Sequence, residues 1–235
     1  KVHYKKLMNI TIVDYYSGNV ASVTNSFKKA GSELDNNIEV TLSNDLNVIK
    51  NSDKLVLPGQ GSFKNCINSI NKIDGLRETL DDFVLNKKKP LFGICVGMQM
   101  FADYGEEDGG CEGFGWIKGK VKKMNIPERP SKLGGVDNYE ELFRLPHMGW
   151  NQVDFWPRSK NSDKLCRDFV GAAKHFYFVH SYIFKVEEHK NILATSYYAE
   201  KFTCGVNKEN IFGTQFHPEK SGDNGLKLIK NFLTL

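Results

Sequence analysis

Two hydrophobic periods alternate along the first hundred or so residues. Short apolar runs, the pattern of buried strands, occupy residues 9–14, 54–57 and 90–94, and 38–42 alternates apolar and polar like a further strand. Between them apolar side chains return at helical spacing: Val20, Val23 and Phe27 before Gly31, a short piece at 46–51, and the stripe Leu76, Leu80, Phe83 and Val84. A further helix is expected from Val96 to about Asp103, broken at Gly105. Strand and helix in alternation predict an α/β fold with a mostly parallel central sheet and helices on both faces. Right-handed crossovers then bring the carboxyl ends of the strands to one edge.

After Gly105 the pattern changes. Residues 105–149 are rich in glycine and proline, with short strands expected near 116–124 and a polar, exposed excursion at 125–145. Together these make a small antiparallel β excursion beside the main sheet. Strands resume at 176–182, 192–197, 202–206 and 211–216, and a helix closes the chain at 226–235. No linker or repeat divides the chain, so residues 9–235 read as one domain behind an N-terminal extension, residues 1–8, with Met8 a candidate internal start.

Composition narrows the function classes. The chain has 235 residues, 40% hydrophobic and 26% charged, enough for one domain with a sizeable core. A net charge of +4 is too mild to indicate nucleic acid, and no apolar run of about 18 residues suggests a membrane span. The lysine runs at 87–89 and 118–123 read as solvated faces, the second a possible border to a partner. Five scattered cysteines, with no C-x-x-C pair and no zinc spacing, predict neither metal nor cofactor. Their odd number, without a secretory leader, points to reduced thiols in the cytoplasm.

One of those cysteines has a special setting. In Gly93-Ile94-Cys95-Val96-Gly97 it stands where a strand turns into a helix, the arrangement of a nucleophile elbow with Cys in place of Ser. Glycines on either side allow the sharp turn, and a helix N-terminus favours a thiolate. A plain strand-end cysteine between packing glycines has the same spelling. A second stretch complements it: His217-Pro218-Glu219. Proline holds His217 extended, so residues 217 and 219 share a side about 6–7 Å apart. A carboxylate there can fix the imidazole tautomer and leave Nε2 free for a thiol, which is triad logic. His3, His175 and His189 read as solvated.

In this order, on this α/β pattern, these pieces resemble the class I, or triad, glutamine amidotransferases. The likeness spans nearly the whole chain from Asn9. Its anchors are Pro58-Gly59-Gln60-Gly61, the elbow through Gln99, His180-Ser181-Tyr182, and Gln215-Phe216-His217-Pro218-Glu219-Lys220-Ser221. Within the class it is most similar to glutaminases paired with a (β/α)8 cyclase that makes imidazole glycerol phosphate. Asp14 with Gly18-Asn19, Leu145-Pro146-His147-Met148-Gly149-Trp150-Asn151, and residues 176–182 carry that finer likeness.

The resemblance implies hydrolysis of L-glutamine to glutamate and ammonia, with Cys95 as nucleophile, His217 as base and Glu219 orienting it. It assigns the oxyanion to Gly59, Gln60 and Val96, and the amino-acid end of glutamine to Gly61, Gln99, Ser181 and Tyr182. Asn19, Trp150 and Lys220 fall where such subunits face the (β/α)8 partner of a heterodimer. Two departures keep other acceptors open: Gln60 stands where Val is commoner, and the 125–145 excursion is long. Paralogues of such subunits supply ammonia for amidino sugars of surface polysaccharides. An inactive regulatory subunit is a third reading, opposed by the intact triad. A related cysteine peptidase would carry His, not Val96, after the nucleophile.

Overall fold

In the computed structural model, which describes residues 7–17, 19–34, 37–126 and 143–235, the first half of the chain winds into parallel β–α units. Strands β1 (Met8–Val13), β2 (Ile38–Ser43), β3 (Lys54–Leu57) and β4 (Leu91–Ile94) are joined by α1 (Val20–Ser32), α2 (Leu46–Asn51), α3 (Phe63–Asn71) and α4 (Leu76–Asp81). After β4 comes the single turn α5 (Val96–Gln99). It is followed by the short strands β5 (Tyr104–Gly105), β6 (Cys111–Glu112) and β7 (Gly119–Lys123). The second half adds β8 (His147–Phe155), α6 (Lys160–Cys166), β9 (Lys174–His180), β10 (Tyr182–Val186), β11 (Ile192–Tyr198), β12 (Glu200–Lys208), β13 (Ile211–Thr214) and α7 (Gly222–Leu233). Among the described residues no helix is long and apolar enough to cross a membrane.

Among the described residues the main sheet has nine strands, in the order β2-β1-β3-β4-β13-β12-β11-β8-β9. It is parallel from β2 through β13 and antiparallel beyond. A second sheet, β10-β7-β5-β6, lies beside it. The central strands β3 and β4 are buried at every residue, as strands covered on both faces must be. Phe92 and Phe212 from neighbouring strands pack on Phe232 of α7, with ring centroids 5.1 and 6.3 Å away. Farther along, Phe155, Phe176 and Phe216 form a second aromatic core.

Side chains punctuate the helices as their types dictate. Asn19 accepts from Ser22 N, Asp45 from Asn47 N and Ser62 from Asn65 N at the starts of α1, α2 and α3. At the far end of α7 the ammonium of buried Lys54 donates to the carbonyls of Phe232 and Leu233, each at 2.8 Å, and of Leu235 at 3.2 Å. Those acceptors satisfy a cation whose burial lowers its pKa to about 8.

Several expectations need correction. The helix after Cys95 stops at Gln99 instead of continuing to Asp103. The N–H groups that would extend it bond elsewhere: Phe101 N and Ala102 N reach back only three residues, to Met98 O and Gln99 O, and Asp103 N donates to Gly119 O. The run 176–182 is two strands, because the chain leaves one sheet at Ser181 and enters the other at Tyr182. β8 escaped the hydrophobic pattern because its exposed positions include Met148 and Trp150 while its inward ones include His147. The polar excursion at 125–145 and the extension at 1–8 fall largely outside the described residues; β1 itself begins at Met8, paired with Ile38.

Around the elbow, Gly97, Gly59 and Gly93 are required by close approach. A Cβ on Gly97 would lie 1.9 Å from Leu57 O, and one on Gly59 would lie 2.3 Å from Gly97 N. On Gly93 it would strike Phe101 at 2.4 Å and the Gly97 carbonyl at 2.8 Å. The turn after β3 thus rests on the elbow after β4 with no side chain between them. Gly97→Ala is expected to lower stability by about 1–3 kcal/mol, seen as a lower urea midpoint at unchanged slope. An unmoved midpoint would mean that the two backbones can separate freely.

Candidate active site

Cys95 is delivered to the sheet edge by β4 and held there in an uncommon conformation. Its φ of 55° and ψ of −113° lie where a side chain is strained, at a cost of order 1–3 kcal/mol. Neighbouring bonds enforce it. Cys95 N donates to Thr214 O at 2.7 Å, and Cys95 O accepts from Met98 N and Gln99 N at 3.1 Å. The side chain is only 4% exposed. Its sulfur lies 3.6 Å from Gln215 Nε2 and 3.9 Å from Val179 O.

His217 reaches the same place from the end of β13. Its N–H donates to Tyr177 O, and Ser221 Oγ donates to its carbonyl at 2.6 Å. Pro218 then opens a 3-10 turn, Pro218–Lys220, that swings Glu219 back to the ring. Nδ1 lies 2.8 Å from Glu219 Oε1, and both side chains are almost wholly buried. His217 Nε2 is buried without a hydrogen-bond partner among the described residues, as is Glu219 Oε2. Burial pushes the imidazole pKa down, but a charged Cys95 beside the ring, then Glu219, outweigh it and raise the value to about 10, so the ring readily holds the proton that the thiol gives up. The arrangement is a thiol, an imidazole with one free nitrogen and a carboxylate on the other nitrogen, which can move a proton to and from sulfur.

A cleft of about 240 Å³ opens over Cys95 and His217. Gln60, Gly61, Val96, Gln99, Ser181 and Tyr182 all stand on its wall, together with Glu107 and Lys220. Gly59 does not line it; it packs against the elbow. Asn19 and Lys220 meet around a smaller hollow that also touches Gly59, Gln60, His217 and Glu219. Trp150 is exposed on β8, edge-on to Tyr177 at 6.2 Å. His175 and His189 are exposed as expected, while His3 and Gly18 lie outside the described residues. The lysine runs are partly paired: Lys118 with Asp103, Lys122 with Glu106, Lys87 with Asp82 and Lys88 with Glu209. A larger cavity of about 480 Å³, bordered by Trp156, Arg158 and Lys201, shares none of the cleft residues and holds no cysteine.

The turn at 58–61 is anchored from behind. Tyr15 OH donates to Pro58 O, and Ser17 Oγ donates to Gln60 O at 2.9 Å. Cys66 Sγ, a thiol whose pKa burial pushes up, approaches the same carbonyl at 3.4 Å. The Gln60 side chain accepts from Asn19 N at 3.0 Å, tying the turn to the start of α1.

Three polar residues here carried no role in the sequence reading: Gln215, His147 and His180. Gln215 lies two residues before His217 in nearly extended chain, a spacing that puts them on one side and was a usable signal. The two histidines had none, since they meet only across the β8–β9 pairing. His147 Nδ1 lies 2.9 Å from His180 Nε2, and His180 Nδ1 lies 3.0 Å from Tyr182 O. A carbonyl only accepts, so His180 carries its proton on Nδ1 and its Nε2 accepts from His147. His147 Nε2 then accepts from Asn151 Nδ2 at 3.2 Å. Both rings are neutral: burial lowers the pKa of His147 to about 4, and burial together with His147 lowers that of His180 to about 3.

A buried cysteine, an imidazole and a carboxylate at one edge of an α/β sheet define a thiol-dependent hydrolase site. The chain belongs to the class I glutamine amidotransferases: residues 11–235 match the family described as Glutamine amidotransferase class-I. It is 51% identical over 228 residues to the imidazole glycerol phosphate synthase subunit HisH of Pelagibacter ubique, covering 97% of this chain and 100% of that one. The like-named protein of Neisseria meningitidis serogroup B is 42% identical over 226 residues, 96% of this chain and 99% of that one. The fold is also similar to the crystal structure of a glutamine amidotransferase from Thermotoga maritima. The TM-score there is 0.57 at 14% identity, covering 97% of this chain and 84% of that one.

Two measurements probe the electrostatics. Cys95→Ala removes the leading influence that raises His217, so the ring is expected to titrate clearly below its value of about 10 in imidazole NMR. An unchanged titration would assign the whole effect to Glu219. For the neutral pair, the unfolded chain takes up protons below pH 6.5 that the folded one refuses until about 4 and 3. Their contribution to stability is therefore complete above 6.5 and lost as pH falls through that window. His147→Gln, which keeps a donor for His180, is expected to flatten the fall in Tm between pH 6.5 and 4. An equally steep fall would place the loss on other groups.

Proposed function

We propose that this protein is the glutamine-hydrolysing subunit of an imidazole glycerol phosphate synthase, acting in histidine biosynthesis in the cytoplasm. The observation that carries the chemistry is the free Nε2 of His217, buried in the cleft beside Cys95 with Nδ1 held by Glu219. The full-length likeness to subunits of that synthase supports the pathway over an amidino-sugar acceptor.

In this reading the Cys95 sulfur attacks the side-chain amide carbon of glutamine as His217 takes the thiol proton. His217 returns that proton to the departing nitrogen, the C–N bond breaks, and ammonia leaves a thioester on Cys95. Water, deprotonated by His217, attacks the thioester; the C–S bond breaks, the sulfur regains a proton, and glutamate is released. Backbone N–H groups of Val96 and Gln60, both on the cleft wall, are assigned to the negative oxygen, where losing one donor typically costs about 10²–10³ in rate, while Gly59 packs on the elbow. Gly61, Gln99, Ser181 and Tyr182 are assigned to the amino-acid end of the substrate. Ammonia passes to a (β/α)8 cyclase docked over Asn19, Trp150 and Lys220.

Cys95→Ala decides the division of labour. With the cyclase partner present, the variant is expected to lose glutamine-dependent synthesis by at least ~10³-fold while keeping synthesis from added ammonium salt. Loss of both activities in an intact complex would refute the reading.

A further inference from the structure

We propose that Gln215 is a further catalytic residue: its carboxamide donates a hydrogen bond to the Cys95 sulfur and stabilises negative charge there, in an orientation that Gln99 enforces. The proposal deepens the glutaminase reading and rests on it.

Gln215 is fully buried, and its Nε2 lies 3.6 Å from the Cys95 sulfur. The two ends of a carboxamide have almost the same shape, so a flipped group would turn an oxygen lone pair toward sulfur and repel a thiolate. Chemistry excludes the flip. Tyr182 O only accepts, and Gln99 Nε2 lies 3.0 Å from it, so Gln99 presents nitrogen at that end. The same nitrogen lies 2.9 Å from Gln215 Oε1 and has a second hydrogen to give. Gln215 therefore turns its oxygen to Gln99 and its nitrogen to sulfur.

The anchor of this chain of bonds is itself fixed. His180 Nδ1–H fills the second lone pair of Tyr182 O, and the tautomer of His180 is matched by its bond to His147. Polarity thus runs one way, from a cleft-wall carbonyl through two carboxamides to the nucleophile. A charge-assisted bond from a buried amide is stronger than its neutral counterpart. It favours thiolate when Cys95 attacks and again when sulfur leaves the thioester. His217 does the proton transfer; Gln215 supplies a donor that never changes protonation.

Other groups also act on this sulfur. His217 and Glu219 face it from the end of β13, Tyr15 and Cys66 lie behind the 58–61 turn, and Glu107 and Lys220 border the cleft. The test must change the amide and leave these in place. Gln215→Met keeps the length and removes the donor; Gln215→Glu replaces the donor with an acceptor.

The readout is the pH profile of iodoacetamide alkylation, scored at Cys95 by peptide mass spectrometry. Gln215→Met is expected to shift the profile to higher pH and to lower kcat for glutamine hydrolysis about tenfold or more, with KM changing far less. Gln215→Glu is expected to shift it further. An unchanged profile in a variant with a wild-type thermal transition would overturn the proposal. If the Gln215 variants do not fold, Gln99→Met removes the orienting donor, and the alkylation profile, read without glutamine, is blind to the assignment of Gln99 to the substrate. The same upward shift is then expected, and its absence is equally decisive. Alkylation needs neither glutamine nor a partner, so a wild-type protein that reacts normally but hydrolyses no glutamine would refute the proposed function and not the hydrogen bond.

Discussion

Everything at the active edge depends on one steric fact: the backbone of the turn at 58–61 lies against the backbone of the elbow at 95–97. Gly59 and Gly97 touch where any β-carbon would overlap main-chain atoms. Two adjacent parallel strands end level with each other, and their following loops are pressed together. The positive φ of Cys95 is held beside this contact by its own bonds, N–H to Thr214 O and carbonyl from Met98 N and Gln99 N. The brevity of α5 is a separate matter, because Asp103 N donates to Gly119 O of the neighbouring sheet instead of to Gln99 O. Cys95 therefore stands on closely packed backbone, in a strained conformation held by the surrounding sheet.

A second constraint is that so much polar chemistry is buried. Lys54, His147, His180, Gln99, Gln215 and His217 are all nearly inaccessible. Most of them find partners whose donor or acceptor character leaves little choice. Lys54 meets carbonyls at a helix end; the histidine pair meets a carbonyl on one side and an amide on the other. In water such groups would exchange partners freely. Here the supply of donors and acceptors fixes tautomers and amide orientations, and with them the direction in which a proton or a partial charge can be accommodated. His217 is the exception: its Nε2 is buried and unengaged among the described residues.

The sequence revealed those parts of the site whose physics is local. A nucleophile elbow needs glycines at fixed offsets, and His-Pro-Glu needs only extended chain, so Cys95, His217 and Glu219 were legible from spacing. The parallel half of the sheet was legible for the same reason, since β1, β3 and β4 are short apolar runs between helical stripes. β8 was not, because a strand whose inward positions include His147 and Asn151 carries no apolar alternation. Nor was the break at Ser181, where an unbroken apolar run changes sheets; nothing in residues 176–182 says which neighbour each half will pair with. His147 and His180 are 33 residues apart and meet only through that pairing. Gln215 lay within reach, at the same two-residue offset as Glu219 on the other side of His217.

The bond between Asn19 N and Gln60 Oε1 joins an exposed helix start to the turn that borders the nucleophile. It is short-range and single, so it works as a mechanical link with one degree of freedom. Asn19 N–H serves one acceptor well; a neighbour seated on α1 either leaves that bond intact or takes its place. The turn in turn carries Gly59, which cannot move without pressing on Gly97. The exposed start of α1 and the turn beside Cys95 thus share one side chain, a glutamine at position 60.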